Sequence, residues 1–335
     1  MLRIAVLGCG RIGRMHAANI AAHPRAVLAM VYDIHAPSAS EVANEHGVTA
    51  AASPEAVFGS GEVDAVLVAT ATPTHADYIE AAVAAGKPVL CEKPIDLSLA
   101  RVNACAEKVA GKGVPIQIGF NRRFDPGHRA ARDAMVAGEI GELHQVIITS
   151  RDPGMPPRSY YEEAGGLFRD MVIHDFDLAR FMLGEEPVDV FAIGGRLIDP
   201  GLMDELDDYD SSMVIMLTAS GKQCHINTSR TSTFGYDQRV ELLGTTGMVQ
   251  SLNRKPNEVR KFGAGAAESA VPYLEFFIER YREAFDAEVD AFVDAVENGT
   301  PVEASFEDGQ RALILAEAAM KSALEGRIVN VSEVE

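Results

Sequence analysis

The turn Gly8-Cys9-Gly10-Arg11-Ile12-Gly13 constrains this chain more than any other segment. It follows the apolar run Arg3–Leu7 and precedes an amphipathic stretch, Arg14–Ala22, that stops near Pro24. In a strand–turn–helix unit the first glycine permits the tight turn. The second lets a pyrophosphate approach the backbone, and the third lets helix and strand pack closely. The helix N-terminus then offers N–H donors and its positive dipole end to a phosphate. Gly8, Gly10, Arg11, Ile12 and Gly13 are therefore candidate dinucleotide contacts. Asp33 stands 20 residues beyond Gly13, at the end of a second apolar run, Ala26–Tyr32. A carboxylate there accepts hydrogen bonds from ribose hydroxyls and repels the 2′-phosphate of NADP. Neither Ile34 nor His35 offsets that repulsion, so the predicted cofactor is NAD.

The rest of the first third repeats the alternation. Val63–Ala69, Pro88–Cys91 and Ile116–Phe120 are strand-like and apolar on both faces. Ser38–Gly47, His75–Ala85 and Leu97–Val109 read as helices. This pattern predicts an α/β Rossmann domain with a doubly wound parallel sheet over residues 1–120. Beyond it the order changes. Val188–Ile193, Ser212–Ala219, Gln223–Ser229, Arg239–Leu243 and Met248–Ser251 follow one another without intervening helices. Residues 121–335 are thus expected to form an α+β domain with a mostly antiparallel sheet. Its C-terminal helices, Tyr273–Glu297 and Asp308–Glu325, are free to pack back on the first domain. The Gly- and Ala-rich stretch Asn253–Ser269 reads as a mobile loop.

Composition narrows the partners. A net charge of −19 disfavours nucleic acid and anionic membranes. No apolar run approaches the length of about 20 residues that a membrane helix needs. The N-terminus opens directly into a strand with no secretory leader pattern, so the expectation is a cytoplasmic protein. Cys9, Cys91, Cys105 and Cys224 are scattered, and the histidines show no metal-ligand spacing, so no metal is assigned.

Two further places suggest chemistry. Lys93 follows a predicted parallel strand, where open α/β sheets bind ligands. An ammonium there can stabilise developing oxygen charge. A strand-capping surface lysine would look the same. Asp170, His174 and Asp177 are spaced i, i+4, i+7 in the apolar segment Gly166–Leu183. On one continuous helix they share a sector of about 60°. Titratable groups on such a stripe are costly unless they face a polar cleft, and histidine suits acid–base work near neutrality. A structural His–Asp pair fits the spacing equally well.

Cys91-Glu92-Lys93-Pro94, taken with the glycine turn, Thr72-Pro73-Thr74-His75 and the segment Arg169–Asp177, resembles the Gfo/Idh/MocA oxidoreductases, and most of all their inositol 2-dehydrogenase branch. The resemblance covers essentially the whole chain. It implies oxidation of one ring hydroxyl of a polyol or sugar, with hydride transfer to NAD. Lys93, Asp170 and His174 would be catalytic: His174 the base, Asp170 its partner, Lys93 the holder of the oxygen. Thr70, Thr72, His75, Glu92 and Lys93 would line the cofactor. Arg122, Asp152, Asp177 and Tyr236 join Lys93, Asp170 and His174 as substrate contacts, although Asp152 and Tyr236 also read as a turn residue and a core aromatic. Asn121 stands where the inositol enzymes often carry a bulkier apolar residue. Other sugars or inositol isomers, glycoside cleavage through transient oxidation, and a non-catalytic sugar sensor are the alternatives. The resemblance also implies a homo-oligomer, most simply a tetramer, built through the open face of the second sheet.

Overall fold

In a computed structural model describing residues 1–334, the chain divides into two compact units. The first comprises residues 1–124 and 283–313, and the second residues 125–282 and 314–334. The sequence reading puts the cut at residue 120 and leaves the C-terminal helices free to pack back; residues 283–313 group with the first unit.

The first unit holds six parallel strands: β1 (Leu2–Leu7), β2 (Ala26–Tyr32), β3 (Thr49–Ala50), β4 (Ala65–Val68), β5 (Val89–Cys91) and β6 (Ile116–Ile118). Their order is β3–β2–β1–β4–β5–β6, so the winding reverses between β1 and β4. Ligands of such sheets bind beyond the strand C-termini at that reversal. The all-apolar β4 is buried at every position, as helices on both faces require. Phe292 and Val293, from the returning helix Arg282–Asn298, pack with Ile4, Val6, Leu67 and Leu90 in one core.

The second unit carries β7 (Leu143–Arg151), β8 (Pro187–Gly195), β9 (Ser211–Thr218), β10 (Gln223–Ser229), β11 (Asp237–Gly244) and β12 (Met248–Ser251). With β15 (Val329–Asn330) they form a seven-stranded sheet in the order β12–β11–β7–β10–β9–β8–β15. All pairings are antiparallel except β7 with β10. Period-2 alternation sets the faces. On β9, Val214 and Met216 are buried, while Met213 and Ile215 are 60% and 48% exposed. Helix Ile173–Leu183 covers the buried face at β7 and β10. The segment expected to be a mobile loop contains a two-stranded hairpin, β13 (Arg260–Gly263) with β14 (Ala266–Ala270). Its glycines lie at the turn, where a loop reading missed the flanking strands.

Candidate active site

In the first unit the site grows from the end of β1. Gly8 has φ +96°, and a Cβ on it would lie 2.3 Å from the Ala69 carbonyl oxygen. A Cβ on Gly13 would lie 1.8 Å from the Gly8 carbonyl oxygen. Both glycines are therefore fixed by packing. Gly10 differs: a Cβ there meets nothing within 4 Å. It is the N-cap of helix Arg11–Ala22, which has no side-chain cap and no acidic residue in its first turn. An uncapped helix N-terminus with open space above its cap glycine fits a dinucleotide pyrophosphate.

Asp33 sits beside this turn. Its carboxylate accepts the Cys9 N–H at 2.6 Å and the His35 N–H at 2.7 Å. The negative charge is thereby fixed at the end of β2, where the ribose of a dinucleotide is expected. Beyond β4, Thr70 and Thr74 hydroxyls lie 2.7 Å apart, and Thr72 opens a short 3₁₀ turn. His75 is placed differently from the sequence expectation. It is buried, with ring nitrogens 2.8 Å from the Pro94 carbonyl oxygen and 3.0 Å from that of Thr70. Burial pulls its imidazolium below the ordinary range, against the carbonyls that favour the charged form. His75 therefore lies between the segment after β4 and the segment after β5, with both ring nitrogens turned to backbone carbonyls.

Glu92 and half-buried Lys93 follow β5, and the Lys93–Pro94 peptide is cis. The Glu92 carboxylate turns inward, to within 2.9 Å of His16 Nε2. Arg122 is buried in the 3₁₀ turn Asn121–Phe124 that follows β6. Its neighbour Arg123 is anchored by the Glu303 carbonyl at 2.7 Å and by Asp308 at 2.9 Å.

In the second unit the expected single helix is two. Leu167–Asp170 ends at a turn, and Ile173–Leu183 restarts after it. The Leu167 carbonyl accepts both the Met171 and the Val172 N–H, each at 3.0 Å. That extra i→i+5 bond inserts one residue into the winding, a π-type bulge of the kind found at functional sites. The segment is therefore not the one uninterrupted helix that the i, i+4, i+7 spacing assumed. His174 and Asp177 remain together on the second helix. Asp177 is 1% exposed, with Arg180 3.7 Å away on the same helix. Tyr236 is also buried and packs edge-on against the Tyr281 ring, the core aromatic of the two sequence readings.

What holds Asp170 was not visible in the sequence. Arg230 Nη2 donates to its Oδ2 at 2.9 Å, and the Tyr160 hydroxyl donates to its Oδ1 at 2.7 Å. The Asp152 carboxylate lies 3.4 Å from Arg230 Nη1. Arg230 is buried. Burial works against its charge, but Asp170 and Asp152 outweigh it and hold the guanidinium ionised. Burial around its hydroxyl, then the Asp170 charge, pushes the Tyr160 phenol up, so it stays a donor. Asp170, Asp152, Tyr160 and Arg230 form one polar network around the buried Asp170–Arg230 pair.

Residues 2–120 match the family described as "Oxidoreductase family, NAD-binding Rossmann fold", and residues 128–250 match "GFO/IDH/MocA C-terminal domain". The inositol 2-dehydrogenase of Rhizobium meliloti (strain 1021) is 44% identical over 331 residues, 99% of each chain. The chain belongs to the Gfo/Idh/MocA oxidoreductase family. The myo-inositol 2-dehydrogenase of Thermotoga maritima is 40% identical over 335 residues, again 99% of each chain. Among solved structures, scyllo-inositol dehydrogenase of Lactobacillus casei with bound NAD(H) and scyllo-inositol matches with TM-score 0.92 at 29% identity, covering 99% of each chain. The first unit carries this family's NAD-binding fold, and the open, uncapped turn at Gly10 suits that cofactor.

One grouping runs against the sequence reading of the histidines. His16, Glu92 and Glu288 place one ligand-type atom each within 4.8 Å of one another, all inside the first unit. They are so far apart in the chain that no spacing pattern could reveal them.

Proposed function

We propose that this chain is an NAD-dependent dehydrogenase that oxidises one ring hydroxyl of an inositol to a ketone, with myo-inositol and its 2-keto product as the first pair. The placement of Lys93 carries the reading. It stands at the C-terminal end of β5, on the sheet edge where Gly8–Gly13 offers its backbone donors. NAD bound there would supply the acceptor for the hydride of the carbinol carbon. Gly8, Gly10, Arg11, Ile12 and Gly13 would hold its pyrophosphate, Thr70 and Thr72 would flank it, and Asp33 would select NAD by repelling a 2′-phosphate. Lys93 donates a hydrogen bond to the reacting oxygen and stabilises its developing charge. His174 accepts the hydroxyl proton. Asp170, oriented by Arg230 and Tyr160, stabilises the imidazolium. Arg122 and Asp152 bind the remaining hydroxyls.

Relatives named as inositol 2-dehydrogenases over their full length support the substrate class. The test is incubation with NAD and a panel of cyclitols and sugars. NADH accumulating with an inositol is the expected result. Sugar release without net NADH would replace oxidation by glycoside cleavage. Binding without turnover would make the chain a sensor.

The same reading extends to assembly and setting. On the solvent side of the second sheet, Ile193, Met213, Ile215 and Met248 are exposed. Those on the adjacent strands β8 and β9 form a patch of the kind that marks an interaction surface, and a second copy covers it in a homotetramer. Light scattering at micromolar concentration should give four times the chain mass; a monomer contradicts the assembly. Among the described residues no helix is long and apolar enough to cross a membrane. A cytoplasmic enzyme of polyol catabolism is the setting that fits an NAD-linked oxidation.

A further inference from the structure

Glu92 precedes Lys93 and is held from behind. His16, on helix Arg11–Ala22, is buried, with its ring edge-on to Phe285 and its Nε2 2.9 Å from Glu92 Oε1. Glu288, on helix Arg282–Asn298, is 0% exposed. Its carboxyl group lies in the same cluster, within 4.8 Å of His16 and Glu92. Neither Glu288 carboxyl oxygen has a hydrogen-bond partner, and His16 Nδ1 has none. Glu92 is also confined from the opposite side, since a Cβ on Gly119 would lie 2.9 Å from its Oε2. The Gln117 amide donates to the Glu288 backbone carbonyl at 3.0 Å, which fixes the returning helix at this level.

A nitrogen and two carboxyl groups could hold a divalent cation or a proton. Two ligand atoms, each roughly 2.1 Å from a tetrahedral metal, stand about 3.4 Å apart. His16 Nε2 and Glu92 Oε1 are closer than that, at the distance of an N–H donor and its acceptor. Two carboxyl groups this near, one of them wholly desolvated, do not both ionise, and the buried one keeps its proton. We infer that Glu288 is a buried neutral acid that hydrogen-bonds Glu92, directly or through one ordered water, and with His16 fixes the orientation in which Lys93 is presented to substrate. Burial, then the Glu92 charge, pushes the Glu288 carboxyl well above the usual carboxylate range, in agreement. His16 lies one turn past Gly13, so the same contact ties the phosphate-binding helix to the lysine. Glu288 and His16 are positioning residues, and the inference rests on the reading of Lys93 given above.

The experiment compares Glu288→Gln, Glu288→Met and Lys93→Ala with the full-length enzyme. The infrared spectrum of the wild type should show the carbonyl stretch of a protonated carboxylic acid that Glu288→Gln lacks. Glu288→Met removes the donor and should lower kcat by on the order of 10- to 100-fold. The KM for NAD should hold, because the Gly8–Gly13 turn is left unaltered. Glu288→Gln restores an N–H donor and should recover most of that turnover. A purely structural role predicts instead that kcat per folded molecule is unchanged in Glu288→Met, which would overturn the inference. So would an absent acid band, or a stoichiometric metal in the purified enzyme whose chelation abolishes turnover. Full turnover in Lys93→Ala would overturn the reading of Lys93 and the positioning role with it, while the acid band would still report the proton on Glu288.

Discussion

The two units present their candidate residues through different materials. Around Gly8–Gly13 the working groups are backbone: N–H donors at a helix start, a glycine whose missing Cβ leaves open space, and a carboxylate fixed by two backbone N–H groups. Around Asp170 they are side chains: a buried arginine and a tyrosine hydroxyl hold one carboxylate in place, and a second aspartate holds the arginine. Backbone sites are tolerant of side-chain change except where a Cβ collides. Side-chain networks are not, because removing one member strands another without solvent. The cofactor part should therefore lose selectivity when altered, and the Asp170 part should lose turnover and stability together.

The largest effect tests that division most directly. His174→Ala should lower kcat by on the order of 10²–10⁴-fold, while NAD binding, followed by its fluorescence, stays intact. In the wild type, turnover should rise with pH as the imidazole loses its proton. Near-normal kcat in a folded His174→Ala would reduce the second unit's contribution to packing. Arg230→Met comes next. It leaves Asp170 buried without its cation, a loss of about 3–5 kcal/mol, so melting temperature and kcat should fall together. Arg230→Lys should recover neither fully, because an ammonium lacks the fork that reaches both Asp170 and Asp152. Unchanged stability in Arg230→Met would erase the contrast between the units.

A milder change is expected at the cofactor turn. Asp33→Ala removes the charge that repels a 2′-phosphate, and the preference for NAD over NADP, as a ratio of kcat/KM, should narrow by roughly tenfold or more. A wild type that prefers NADP would invert the reading of β2. The smallest effect lies far from the site. Hydrogen bonding to Arg3, its chief cause, holds the Asp64 carboxyl down to about 2. A depressed carboxylate stabilises the fold above its unfolded pKa, and that contribution fades as pH falls through the folded value near 2. Both partners are well exposed, so Asp64→Asn should lower the melting temperature by only about 1–2 °C at neutral pH. Below pH 2 the difference should vanish.

Legibility in the sequence follows the same line. The glycine turn, Asp33 and Lys93 could be singled out as candidates because each depends on neighbours close in the chain or on the end of a strand. The five longer parallel strands could be read for the same reason. Asp170 could be singled out by spacing, but the bulge at Met171–Val172 leaves no residue-type signature. Arg230 and Tyr160 were missed because their partner is 60 and 10 residues away, and nothing local distinguishes a buried arginine from a surface one. A signal did exist for His75, in its apolar surroundings, but the family motif outweighed it. Glu288 offered none: in an amphipathic helix a glutamate reads as part of the solvated face.

The return of residues 283–313 to the first unit sets an order on synthesis. Phe292 and Val293 complete the core that Ile4, Val6, Leu67 and Leu90 begin, yet they leave the ribosome only after the entire second sheet except β15. Until then the first unit carries an apolar face with no cover. At about 5–20 residues per second, the wait between Phe124 and Val293 lasts on the order of ten seconds or longer. A chain stalled or cut before residue 283 would present that face to other proteins, and chaperone capture of nascent chains should peak in that interval. Joining the two ends of the first unit by circular permutation would shorten it.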